Sequence, residues 1–306
     1  MICALGLLAK AWAQAPWVPP RTPDGQPDFQ GVWAMATLTP LERPVELAGK
    51  EFLTEQEARE YETRMRRQLN TDRRYQDKDA DLRGNYNEFW RDRGSTVVGS
   101  RRTSLIVDPP DGRIPALTPE AGKRRAGRAG IPAGPEDLPL RVRCITRGLP
   151  MVPTPNNNFF RIVQSSGYVV ILQEMMYEAR LIALDGRPHI SSAIHNYMGD
   201  SRGRWEGNVL VIDTTNYLGK DDFHGADDNL HLTERLTLVD PDTILYQFTV
   251  DDPTAFTKRW SGEIPMRRTG EGIFDYECNE GNYSMTDILL GARAQENKAG
   301  GQDRIK

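Results

Sequence analysis

At 306 residues, 38% of them hydrophobic and 27% charged, the chain can bury a substantial core, and its composition excludes a disordered or collagen-like protein. Its 27 glycines and 21 prolines argue against a helical bundle. The net charge of −4 is unevenly spread: residues 59–128 hold 17 Lys and Arg against 11 Asp and Glu, whereas residues 200–290 hold 8 against 18. The basic half lacks the aromatic interleaving and glycine-rich loops of a nucleic-acid binder, so no nucleic-acid partner is expected. A basic N-terminal layer docked on an acidic β layer is expected instead.

Residues 1–15 read as the remnant of a signal peptide. Ile2 to Ala9 is apolar and Ala13-Gln14-Ala15 is a small-residue cleavage site, although no basic residue precedes the apolar run. Export to the periplasm or the extracellular space is the expectation. No other stretch has about 18 consecutive apolar residues, so no integral membrane span is expected. With Cys3 removed, Cys144 and Cys278 remain, and in an oxidising compartment they are expected to pair.

Residues 16–158 read as a proline-rich arm with two helices packing on a barrel. Seven prolines between Pro16 and Pro44 make the first part extended, with Gly31-Val32-Trp33 inside it. Thr54 to Leu69 reads as a helix: Thr54 caps it, Glu57 closes a capping box, and Tyr61, Met65 and Leu69 form a thin apolar stripe. A short strand at 103–107 ends at Pro109-Pro110-Asp111-Gly112. A second helix starts at Thr118-Pro119-Glu120.

From Phe159 the periodicity becomes two. Strands are expected at about 159–164, 168–175, 178–184, 208–216, 231–239, 243–251, 257–264 and 272–278, separated by turns such as Ser166-Gly167 and Asp240-Pro241-Asp242. Eight strands with short links suggest an antiparallel β-barrel over 159–294, including a closing helix at 283–294. Residues 295–306 read as a mobile tail. The fold class expected is therefore mainly β: a calycin-like antiparallel barrel with an N-terminal helical arm.

Several expected strands place a charged residue on an otherwise apolar face. Asp213 shares a face with Val209, Val211 and Tyr217; Glu234 with Leu232, Leu236 and Leu238; Glu174 with Val170 and Leu172; Arg180 with Ile182 and Leu184. Burying an unpaired charge costs several kcal/mol. The repeated pattern suggests a polar-lined lumen in which carboxylates with separated pKa values serve as acid and base. Glu174, Asp213, His231 and Glu234 are the catalytic candidates, His231 because it opens a strand beside the acidic loop 221–228. Arg180, Tyr217, Arg235 and Trp260 are the substrate-binding candidates. Private ion pairing of Arg180 or Arg235 with the acids is the structural alternative.

No metal set is expected, since His231 and Glu234 point to opposite faces of one strand. The loop 221–228 lacks the spacing of a dedicated calcium loop. There is no P-loop, dinucleotide fingerprint or G-x-S-x-G, so no cofactor is expected.

Further stretches carry a resemblance: Arg21-Thr22-Pro23-Asp24-Gly25-Gln26-Pro27-Asp28, the run from Arg102 to Arg113, Gly199 to Gly207, Asp213-Thr214-Thr215-Asn216 and Cys278-Asn279-Glu280-Gly281-Asn282-Tyr283. With these the chain resembles a large family of exported bacterial proteins of unknown function, a likeness that implies no activity and no site residue. Gly31-Val32-Trp33 followed by a β meander is similar to the outline of lipocalins and their calycin relatives, a likeness of fold alone. The functions expected are a cofactor-free hydrolase, lyase or isomerase acting on a small organic or glycan-like molecule, a small-molecule binding protein using the barrel mouth, or a glycan-binding surface β domain.

Overall fold

The computed structural model describes residues 17–74, 76–78, 81, 87–128, 130–219 and 223–302. The signal-like residues 1–15, part of the acidic loop (Asp221 and Asp222) and the last four residues of the expected tail lie outside them.

Ten strands form one sheet: β1 (Gly31–Ala34), β2 (Ile106–Asp108), β3 (Phe159–Ser165), β4 (Tyr168–Gln173), β5 (Glu178–Ala183), β6 (Asp200–Glu206), β7 (Val209–Thr215), β8 (His231–Asp240), β9 (Thr243–Asp251) and β10 (Trp260–Thr269). Nine of them close a barrel in the order β1-β3-β4-β5-β6-β7-β8-β9-β10, with β10 pairing back to β1. β2 pairs with β10 at Ser261 and Gly262.

The barrel is mixed, not antiparallel throughout. β5 and β6 run parallel and share one registered pair, Ala183 with Arg202. The 16 residues between them cross back over the barrel, so β6 cannot return as a hairpin partner. The barrel also closes through the G-x-W segment, which was expected to be part of the arm. Val32 and Trp33 lie opposite Thr269 and Arg268 on one side, and Arg161 and Phe160 on the other. Trp33 is fully buried, with the Arg268 guanidinium 4.2 Å from its ring centroid.

Three expectations for strands change. The segment 272–278 is irregular, because β10 already has β9 on one edge and β1 and β2 on the other. The strand expected at 103–107 falls at Ile106–Asp108. Residues 200–206, not expected to be a strand, form β6.

Every second side chain fills the barrel: Ile212 on β7, Leu232 and Leu236 on β8, Tyr246 and Phe248 on β9, Trp260 and Ile264 on β10, all at most 1% exposed. Gly262 leaves room for the Phe248 ring, which a Cβ at that position would meet at 2.4 Å. The interior is packed with buried apolar side chains.

Helix α1 (Glu55–Leu69) starts as its sequence requires. Thr54 accepts from the Glu57 amide, and the Glu57 carboxylate accepts from the Thr54 amide. Its buried Ala58 and Tyr61 pack with Leu53 in a small cluster separate from the barrel core. Helix α2 (Pro119–Arg128) buries Ala121 in the main core. Helix α3 spans Ser284–Gln302, running past the end expected for it at 294, and Arg293 anchors it by donating to the carbonyls of Pro132 and Ala133.

The docking of a basic layer on an acidic one is confined to α2. Among the described residues, Arg124–Asp227 is the one ion pair joining 59–128 to 200–290. The arginines of α1 bond within their own layer, as in Arg59 with Glu55 and Arg66 with the Ser95 carbonyl.

Candidate functional site

The charged candidates do not converge. Inside the barrel, Arg180 and Glu234 are 3% and 0% exposed. Arg180 Nη1 donates to Glu234 Oε1 at 3.0 Å and Nη2 to Oε2 at 2.5 Å. Its Nε donates to Ser201 Oγ and its Nη2 also to Thr214 Oγ1, at 2.8 and 2.7 Å. The Tyr246 hydroxyl donates to Glu234 Oε1 at 2.8 Å and accepts from the Met151 amide at 3.2 Å. Burial alone would lower the Arg180 pKa, but the Glu234 charge and hydrogen bonds raise it. Tyr246 is held well above the usual phenol range by burial and by the same carboxylate. The inward placement expected for both residues is correct. Glu234 is nevertheless a fully buried ion-pair partner of Arg180.

Asp213 lies on the outer face of the neighbouring strand β7. Leu210, Ile212 and Thr214 are the inward residues of β7, so the odd positions face out. The shared apolar face misled because Val211 is fully buried although it alternates with the inward residues of β7. There Asp213 joins a chain of four groups. His231 Nε2 is 2.6 Å from Asp213 Oδ2, His189 Nε2 is 2.9 Å from Asp213 Oδ1, and His189 Nδ1 is 2.8 Å from Asp200 Oδ2. Arg202 closes the chain on Asp200 at 2.9 Å. Burial would push the Asp213 carboxyl up, but the hydrogen bonds from His231 and His189 hold it below the usual range. His231 is the most open member, at 46% side-chain exposure. Sequence reasoning weighed His189 among the four histidines but put His231 first, and it missed Asp200 and the joining of His189 to Asp213, because these partners come from the crossover and the unexpected strand β6.

Glu174 sits beyond the end of β4, 3% exposed, where the amides of Phe159 and Phe274 approach its carboxylate at 3.4 and 3.5 Å. Burial raises its pKa against those two donors, and the Asp92 charge adds to the rise. Glu178, which accepts from Thr146, is also raised by burial. Nearby Arg147 is lowered to about 10 by burial.

The substrate-binding candidates are equally dispersed. Trp260 is a core residue, packed edge-on against Phe248 and Phe256 and stacked on Phe223. Tyr217 is buried beside a void of about 10 Å³, room for no more than one water. Arg235 lies on the outer wall, paired with Glu206 at 2.9 Å. Cys144 and Cys278 are bridged, with Cα atoms 5.5 Å apart. Among the described residues, no three His, Cys, Asp or Glu side chains are arranged to hold a metal ion.

A partly open hollow of ligand size lies elsewhere. Because α1 packs on its own small cluster, a cleft of about 560 Å³ remains between it and the chain at the barrel mouth. Tyr61, Met65 and Leu69 form one wall. Leu38, Leu41, Leu105 and Val152 form the other, and Thr71, Arg91, Arg93, Thr154 and His224 are also at its edge. The stripe at i, i+4 and i+8 that marked α1 as amphipathic is therefore also a wall of this cleft. A groove of about 660 Å³ on the outer side of α1 is lined only by that helix and the turn after it, so it has no opposing wall. None of Glu174, Asp213, His231 and Glu234 lines any of these hollows.

No protein-family model, curated protein or solved structure matches this chain. The functional reading rests on its own geometry.

Proposed function

We propose that this is an exported small-molecule binding protein that takes a mainly apolar ligand into the cleft between α1 and the barrel mouth. The observation that carries the reading is the pair of facing apolar walls around about 560 Å³, within the range of small-ligand pockets. Apolar side chains fill the barrel interior, and the carboxylates that would make it an active site are paired or enclosed. The Cys144–Cys278 bridge supports an oxidising compartment, in keeping with the signal-like start. The test is nuclear magnetic resonance screening of a small-molecule set against the wild type and Met65→Trp, which fills the cleft. Hits should shift resonances of Met65, Leu69 and Val152 and be lost in the variant. Hits that shift other regions, or survive Met65→Trp unchanged, overturn the reading.

A second reading has one observation in its favour. The His231–Asp213–His189 chain is open to solvent at His231, and an acid–base enzyme would use that imidazole with Asp213 orienting it. It predicts a hydrolytic or isomerising activity that His231→Gln abolishes without loss of fold. Activity equal in wild type and variant removes it.

A further inference from the structure

The C-terminal half of α1 carries more positive charge than its internal partners neutralise. Residues 63–74 hold five arginines and one acid, Asp72. Arg74 pairs with Asp81, and Arg73 is engaged as well. Arg66 donates to the Ser95 carbonyl and Arg64 lies over the Tyr61 ring, both neutral groups. Among the described residues, no carboxylate pairs with Arg64, Arg66 or Arg67. The dipole of α1 offsets only about half a charge of these three. Arg64 and Arg67 line the open groove on the outer side of the helix.

An exposed aromatic pair stands at the same end. The chain after the helix returns there as a single 3-10 turn, Glu88–Trp90. Glu88 accepts from the amide and hydroxyl of Thr71 at 3.0 and 3.1 Å, and its own amide donates to Asp72 Oδ1 at 2.9 Å. Arg93 donates to the Leu69 carbonyl at 2.6 Å. These bonds fix Phe89 and Trp90 beside the helix end. The two rings meet edge to face with centroids 5.0 Å apart, yet they are 84% and 58% exposed. A single exposed apolar side chain is ordinary, but two adjacent large aromatics held out by a pinned turn mark a contact surface.

We infer that this end of α1 docks on an anionic lipid bilayer, with Arg64, Arg66 and Arg67 at the headgroup phosphates and the Phe89 and Trp90 rings at the boundary between headgroups and acyl chains. Basic side chains and exposed aromatic rings are the two attractions that a peripheral membrane contact combines. Indole rings in particular settle at the headgroup level, where one part of the ring is apolar and the other wet. An acidic protein partner would satisfy the arginines but gives no reason for two rings to stand out beside them. The acidic β layer orients the contact, because residues 200–290 hold 18 acids against 8 bases and are repelled by the same surface. Leu69 and Thr71 also edge the cleft, so docking brings the mouth of the cleft to the lipid. The inference needs no ligand in the cleft and stands apart from that reading.

The experiment is flotation with vesicles of phosphatidylcholine alone and of equal parts phosphatidylcholine and phosphatidylglycerol. It uses the chain without residues 1–15, so that their apolar run contributes no binding of its own. Binding to the mixed vesicles should be about tenfold tighter or more, and on the wild type, which needs no variant to fold, it should weaken as salt rises. Arg67→Glu should weaken binding to the mixed vesicles about tenfold. Phe89→Ser with Trp90→Ser, both at exposed positions, should weaken it by about tenfold as well. Bromine-labelled lipid should quench tryptophan fluorescence of the wild type, and Trp90→Phe should remove most of that quenching. No binding, or equal binding to the two vesicle types, overturns the inference. Salt-sensitive binding that survives the aromatic double variant, with no quenching by brominated lipid, would mean a polyanion site of the kind an acidic protein uses, and overturns the bilayer assignment.

Discussion

Arg180 on β5 and Glu234 on β8 meet inside the barrel across its weakest joint. β5 and β6 share a single registered pair, whereas β8 and β9 share nine. Arg180 reaches past that joint to Ser201 on β6, Thr214 on β7 and Glu234 on β8. Side-chain bonds thus do there what backbone bonds do elsewhere in the sheet. Removing either partner leaves the other charge buried, at a cost of about 3–5 kcal/mol. Arg180→Met and Glu234→Leu should each lower the denaturation midpoint strongly, while the double variant Arg180→Met with Glu234→Leu should lie closer to wild type than the sum of the two singles. Simple additivity in the double variant would show that the pair is not what holds the joint.

The legibility of this chain follows the same lines. Strands β7 to β9 announce themselves through alternating Val, Leu and Ile, and Glu234 was readable as inward because its neighbours at i±2 are all leucines. Strand β6 was hidden because two of the residues on its inward alternation are Ser201 and Gly203, the first bonded to Arg180 and the second packed by Leu184 and Ile182, which leaves Trp205 as a lone hydrophobic signal. β1 was hidden by its length, four residues in a proline-rich stretch. Asp213 was misplaced because alternation tells which residues share a face but not which face is inside, and Val211 is buried on the outer one. The cleft was legible in one wall, the α1 stripe. Its other wall comes from segments distant in sequence that carry no period.

The Glu174 carboxyl is raised by burial first, so its ionised form weakens the native state. Its folded pKa lies above the unfolded value of about 4.3, and stability from this group therefore rises as pH falls through the folded pKa and levels off near pH 4. Glu174→Gln should stabilise the protein at pH 7, with the gain shrinking to nothing by pH 4. A loss of stability at pH 7 would show that the Phe159 and Phe274 amides need a charged acceptor.

Asp213 carries the opposite sign. Its pKa is lowered in the native state by His231 and His189, overcoming burial. Its contribution is present above the unfolded value of about 3.9 and is lost as pH falls through the lower folded value. Asp213→Asn should destabilise at pH 6, with the difference from wild type fading below pH 3. The His189 and His231 ring resonances should both shift in the variant, as read by nuclear magnetic resonance. Unchanged rings would break the link inferred from the hydrogen bonds.

The disulfide ties chain that the barrel does not need for closure. β1 and β10 already seal the sheet, whereas Cys278 lies after the irregular 271–277 segment and before α3. The bridge closes a 134-residue span, which in the chain-entropy model gives about 4–5 kcal/mol through the unfolded state. That term acts on global unfolding. Locally, after reduction, the C-terminal segment keeps the bonds of Asn282 to Val142 and of Arg293 to Pro132 and Ala133. Reduction, or Cys278→Ser, should therefore lower the midpoint by several degrees, and hydrogen exchange should speed up first in 271–302 while β7 to β9 stay protected. Equal loss of protection in β8 and α3 would mean that the bridge supports the barrel itself. An unchanged midpoint would mean that the reduced unfolded chain is already compact.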